Sequence, residues 1–186
     1  IAFTRITQWG IATSLVYGSL RQLKEGLNTL HEIDTALIDI AKVTNYTNDQ
    51  MKELTQTAIN AGQEFGRTAQ EYLSAVTEFA RAGMGKQSEE YAKLSLLLQN
   101  VGDITAEVAN ETLIAVNAGF QLEGSYDKLL SVIDKFNNIS NLNATNINKL
   151  SEAMKVGASV FNAAGMSLDE TVAIIGTATA STQRAG

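Results

Sequence analysis

The sequence predicts an all-α fold: a long N-terminal helix over residues 1–44, then a compact set of six or seven shorter helices arranged as hairpins over 45–186. Three observations carry this. Apolar residues recur at helical spacing along nearly the whole chain, and no stretch alternates with period two between hairpin turns. Proline is absent, although ordinary usage of about 5% would place roughly nine in a chain of this length. Finally, the phrase F-x-x-A-G-M occurs twice, from Phe79 and from Phe161, each time where a helix should stop.

The first segment, from about Ala2 to Val43, carries Leu20, Leu23, Leu27 and Leu30 at the spacing that helix packing buries. Beyond Leu30 the seam drifts: Asp34 takes the next heptad position while Ile33, Leu37 and Ile40 continue the stripe, so the contact face must rotate. "NYTNDQ" then breaks the helix. Thr47 with Gln50 is spaced to cap the next helix, the hydroxyl accepting a backbone N–H and the amide reaching back. Thr68 with Glu71 and Ser167 with Glu170 repeat the device. Helices are expected near 49–61, 68–82, 88–101, 105–119, 125–139, 146–164 and 168–181. In both copies of the repeated phrase, Gly83 and Gly165 supply the left-handed conformation that ends a helix without a side-chain clash. Met84 and Met166 are placed to fold back towards Phe79 and Phe161.

Length and composition bound the function. The 186 residues suffice for one domain with its own core. Cysteine is absent, which excludes disulfides, thiolate metal sites and a thiol nucleophile. The net charge of -6 is spread among scattered acids and bases, with no basic stripe to hold phosphates, so nucleic acid is not expected as a direct partner. The chain opens on Ile1 without the charged, apolar and cleavage regions of a signal peptide, and it reads as an internal fragment of something longer.

Candidate chemistry is thin, and the expectation is no catalytic, cofactor-binding or metal-binding residues and no enzyme activity. The single histidine, His31, has Thr35 where a zinc helix would place its second ligand four residues on. Asp34 and Asp39 are five apart and do not face one another on a helix. "GMGKQS" lacks the spacing of a phosphate-binding loop, and G-x-S-x-G does not occur. Small residues are more informative. Gly10, Ser14 and Gly18 step along an uncharged run from Ile6 to Leu20, flanked by Arg5 and Arg21. Such a face suits close helix packing, including self-association. The run is shorter than the roughly 20 residues a membrane span needs, although it supports an alternative reading as a membrane-active helical protein, a pore former or ejection-channel segment. A generic helical adaptor is a further alternative. "VAIIGTATASTQRAG" at the C-terminal end is equally rich in small residues suited to close neighbours.

Three stretches, "EIDTALIDIAKVT", "FGRTAQEYLSAVTEFARAG" and "LSEAMKVGASVFNAAGMSLDETVAIIGTATASTQRAG", resemble the core domain of phage tail tape measure proteins, minor tail proteins of long-tailed phages. The resemblance spans nearly the whole chain. It places Glu32, Asp34, Ala36 and Val43 in the first helix, Gly66 and Gly83 at helix breaks, and Gly165, Ser167, Leu168 and Glu170 at the start of the last hairpin. It implies a structural, non-enzymatic role without cofactors, in the virion tail after assembly in the host cytoplasm. The implied partners are the tail tube protein and tail assembly chaperones, with release from the tail at DNA ejection. It also implies that the family's length-setting helical region continues beyond this segment.

Overall fold

The computed structural model describes residues 31–184, and all regular structure among them is helical. Residues 31–43 form α1. It is followed by α2 (Asn48–Phe65), α3 (Ala69–Phe79), a π-helical turn (Ala80–Met84), a 3-10 turn (Gly85–Gln87), α4 (Ser88–Gly102), α5 (Ala106–Gly119), α6 (Tyr126–Leu142), α7 (Ile147–Ala163) and α8 (Leu168–Arg184). The helices after α1 therefore fall close to the predicted spans. Of the span expected to form a long N-terminal helix only residues 31–43 are described as helix; Leu20 to Leu30 and Gly10, Ser14 and Gly18 lie outside the described residues. Within α1 the rotated stripe is where the sequence places it. Ala36 and Ile40 are buried, with Ile33 and Leu37 packed against the same core.

Local chemistry fixes the helix ends. All three predicted capping boxes form. The Thr47 hydroxyl accepts the Gln50 backbone N–H while the Gln50 side-chain Oε1 accepts the Thr47 N–H. Thr68 and Glu71 exchange the same pair of bonds, as do Ser167 and Glu170. Thr105 and Asn146 cap α5 and α7 through the amides of Val108 and Lys149.

The two repeated phrases end their helices differently. After α7, Gly165 has φ 82°, the Met166 N–H bonds the Phe161 carbonyl at 3.0 Å, and the Gly165 N–H bonds the Asn162 carbonyl at 2.9 Å. That pairing satisfies the last orphan carbonyls of the helix. After α3, Gly83 also has a positive φ of 81°, but the chain reaches it through the wider π turn, and Gly85 at φ 24° bends it again. The expected helix to residue 82 thus gives up its α geometry after Phe79. A second glycine follows two positions after the first, where the later copy has Ser167 and a capping box instead.

Packing departs from simple sequential hairpins. α2, α3, α4 and α5 contact their neighbours in turn, yet the most extensive helix contact joins α5 to α7. Ile147, at the start of α7, lies against Gly102 just before α5, whereas Ala158 lies against Gly119 at the end of α5. The two helices therefore run in the same direction, with α6 as the crossover between them. A Cβ on Gly119 would sit 2.7 Å from the Ala158 Cβ, so only glycine permits this approach. Lys155 reinforces the pair from the edge, its ammonium 2.7 Å from Glu111 and 3.0 Å from Glu152. Hydrogen bonds to Glu111, then to Glu152, hold its pKa above the ordinary lysine value. The small residues of α8 are half used: Gly176 admits the Ile139 side chain of α6, whereas Ala173, Thr177 and Ala178 remain on the surface.

Candidate functional site

The described surface is concave at the first helix junctions. An open cleft of about 690 Å³ lies between the α1–α2 connection and the start of α4. Val43, Leu54 and Ala80 give it apolar walls, and Glu53 and Glu89 bring carboxylates from α2 and α4. The Tyr46 hydroxyl donates to Glu89 Oε1 at 3.3 Å. Burial, then the Glu89 charge, raises the Tyr46 pKa, so the phenol stays protonated at neutral pH and acts as a donor rather than a base. Tyr72 donates to the Glu89 backbone carbonyl at 3.0 Å, and its pKa too is pushed up, chiefly by burial. Two carboxylates, the Tyr46 phenol and two threonines line this cleft without a nucleophile held against a base. Among the described residues no group of three or more His, Asp or Glu could hold a metal ion.

A polar chain also runs through the core. Gln99 Nε2 donates to Ser95 Oγ at 3.2 Å, the Ser95 hydroxyl donates to Asn110 Oδ1, and Asn110 Nδ2 donates to Glu78 Oε2 at 2.7 Å. Ser95, Gln99 and Asn110 are fully buried or nearly so. Every donor after Gln99 has one acceptor, which makes the chain directional and ties α3, α4 and α5 into one register.

A second polar fixture holds the α5–α6 loop. Gln121, Glu123 and Gly124 have φ of 51°, 53° and 74°. Asn117 Oδ1 accepts the Gly124 N–H at 2.9 Å, and the Tyr91 hydroxyl donates to the Gly124 carbonyl. The Tyr91 ring is itself fixed edge-on against Phe79, with centroids 5.8 Å apart. A Cβ on Gly124 would strike the Tyr91 oxygen, so glycine is required here for its space as well as for its backbone. Between the left-handed residues, Leu122 is buried.

Residues 55–186 match the family described as phage-related minor tail protein. The match covers well over half of the chain. The chain belongs to this family. No solved structure matches it.

In this minor tail protein, the glycines singled out by sequence end helices. Gly66, at φ 66°, ends α2, and Gly83 and Gly165 end their helices as described. Glu32 and Asp34 are exposed on α1, Asp34 on the side away from buried Ala36. Val43 lines the large cleft. His31 is exposed, and its backbone carbonyl accepts the Thr35 hydroxyl at 2.9 Å. Sequence reasoning missed Tyr91, Asn117 and Gly124, and also Ser95, Asn110 and Glu78. Except for Asn117 and Gly124, seven residues apart across the α5–α6 loop, these contacts join residues far apart in the chain, and no helical spacing announces them. On the outer face of α7, Val156 and Val160 stand one turn apart and are 78% and 65% exposed. Two isolated valines form too small a patch to mark an interface. None of the described helices is long and apolar enough to cross a membrane.

Proposed function

We propose that this minor tail chain is the core domain of a tape measure protein, a structural element that organises assembly of the tail tube. Its partners in this reading are the tube protein and the tail assembly chaperones, and its place is in the tube lumen or at its tip until DNA is ejected. Family membership over residues 55–186 supports a tail role. The single observation that favours an organising domain over a stretch of ruler is the fold itself. A helical ruler advances about 1.5 Å per residue, so 186 residues as one rod would reach roughly 280 Å. Here the capping boxes and left-handed stops turn the chain back repeatedly, and α5 packs on α7 across the intervening α6. No catalytic step belongs to this reading.

The test is an in-frame deletion of residues 83–102 in the phage that carries the gene, with tails measured by electron microscopy. Removing α4 uncovers the apolar faces of α3 and α5 and breaks the buried polar chain. Tails should therefore be missing or erratic in length. Intact tails shortened by a constant increment per deleted residue would make these residues part of the ruler. Tails of normal number and length would sink the organising role altogether.

A further inference from the structure

We propose that the cleft at the α1–α2 connection is a docking groove for a basic segment of a partner protein, one that sets a lysine or arginine beside Glu53 and Glu89 and lays apolar neighbours on Val43 and Leu54. Three stretches of chain build it. Gln50, Glu53, Leu54 and Thr57 follow the i, i+3, i+4, i+7 spacing and so share one face of α2. Val43 and Tyr46 contribute from the end of α1 and the connection after it, and Ala80, Gly85 and Glu89 from the turns after α3 and the first turn of α4. Of the four α2 residues only Leu54 is buried; Glu53 is exposed and Thr57 half-buried.

Charge complementarity names the occupant. Two carboxylates from different helices line one concavity of about 690 Å³, and among the described residues neither is paired with a lysine or arginine. Glu89 is already oriented: its Oε1 accepts the Tyr46 hydroxyl at 3.3 Å, which leaves Oε2 for a second donor. What sets these two acids apart from those on the convex faces is the wall beside them. Val43, Leu54 and Ala80 displace water, so a cation here is less screened than at an open surface. The aliphatic stem of a lysine or arginine covers such a wall while its head reaches the carboxylates. An anionic segment is opposed by both acids, and a purely apolar one would bury them without a counter-charge. A lone metal ion or ammonium would leave the apolar wall wet. A basic segment with apolar neighbours satisfies acids and wall together, and the net charge of -6 favours its approach. The partner is defined by this chemistry, independently of the tape measure reading.

NMR titration of the full chain tests this with two acetylated, amidated peptides: Ala-Leu-Arg-Leu-Ala, and the same sequence with neutral citrulline in place of arginine. The arginine peptide should shift the backbone resonances of residues 43–46, 53–57 and 85–89 saturably, and less so as salt is raised. Glu53→Gln, at an exposed position, should weaken its binding about 2–5-fold, and Glu89→Gln likewise. The citrulline peptide, which loses the attraction of both acids, should bind about 5–20-fold more weakly than the arginine peptide. Thr57→Arg sets a cation of the chain's own in the cleft and should block the peptide; it carries the test if loss of the Tyr46 bond disturbs the Glu89→Gln protein. Absence of saturable shifts, equal binding of the two peptides, or shifts spread evenly to exposed acids elsewhere, such as Glu107, Asp127 and Asp134, would overturn the proposal.

Discussion

Replacing Gly119 with alanine probes the α5–α7 crossing at its tightest point. The new Cβ would lie 2.7 Å from the Ala158 Cβ and 2.9 Å from both the Ala158 carbonyl carbon and the Ser159 nitrogen. Two of those three neighbours are backbone atoms of a helix and cannot rotate away. The helices must separate, which costs about 1–3 kcal/mol, the range for overpacking a well-filled core. Alanine returns up to about 1 kcal/mol of helix propensity, and less at a terminal position such as this one. A net loss of about 1–2 kcal/mol is expected, equivalent to a fall in Tm of about 2–8 °C for a domain of this size. Urea denaturation followed by circular dichroism measures it through the midpoint at unchanged slope. Adding Ala158→Gly should restore only part of the loss, since the backbone contacts remain. A Gly119→Ala protein as stable as the wild type would refute the close parallel crossing.

The two glycine stops offer a comparison free of steric clash, since nothing lies within 4 Å of a Cβ built on Gly83 or Gly165. With φ of 81° and 82°, each alanine substitution should cost about 1 kcal/mol from backbone conformation alone, and denaturation midpoints that do not move would contradict the left-handed geometry. For Glu170, the backbone N–H of Ser167, then its hydroxyl, holds the carboxyl below its ordinary value of 4.5. The contribution is therefore fully present above that value and is lost as pH falls through the lower, folded-state pKa. NMR titration should show Glu170 protonating below free glutamate, and Glu170→Gln should flatten the acid limb of stability; an unshifted Glu170 would remove the capping box as its cause.

What was legible in the sequence is what short-range chemistry decides. A hydroxyl and a carboxamide or carboxylate three residues apart can meet only if a helix starts there, so Thr47, Thr68 and Ser167 announced their helices. The repeated phrase announced two stops, and both glycines adopt the same φ. It could not announce the π turn, because the six residues spell the same cap in both places. The difference lies downstream, in Gly85 against Ser167, and in the partners α3 meets. The polar chain from Gln99 to Glu78 and the Tyr91 bond to Gly124 were illegible for a related reason. Ser, Asn and Tyr at these positions look like ordinary helix residues until the fold brings α3, α4, α5 and α6 together.

The parallel pairing of α5 with α7 bears on how the chain comes off the ribosome. α2, α3 and α4 can each find a partner as soon as the next helix is made, because their contacts are between neighbours. The face that α5 turns towards α7 must wait, since Ala158 follows Gly119 only about forty residues later, and contacts of such separation form late. During that interval α5 carries its binding surface uncovered in the cell. A nascent chain would then be most exposed to mispairing with other chains between the synthesis of α5 and the completion of α7.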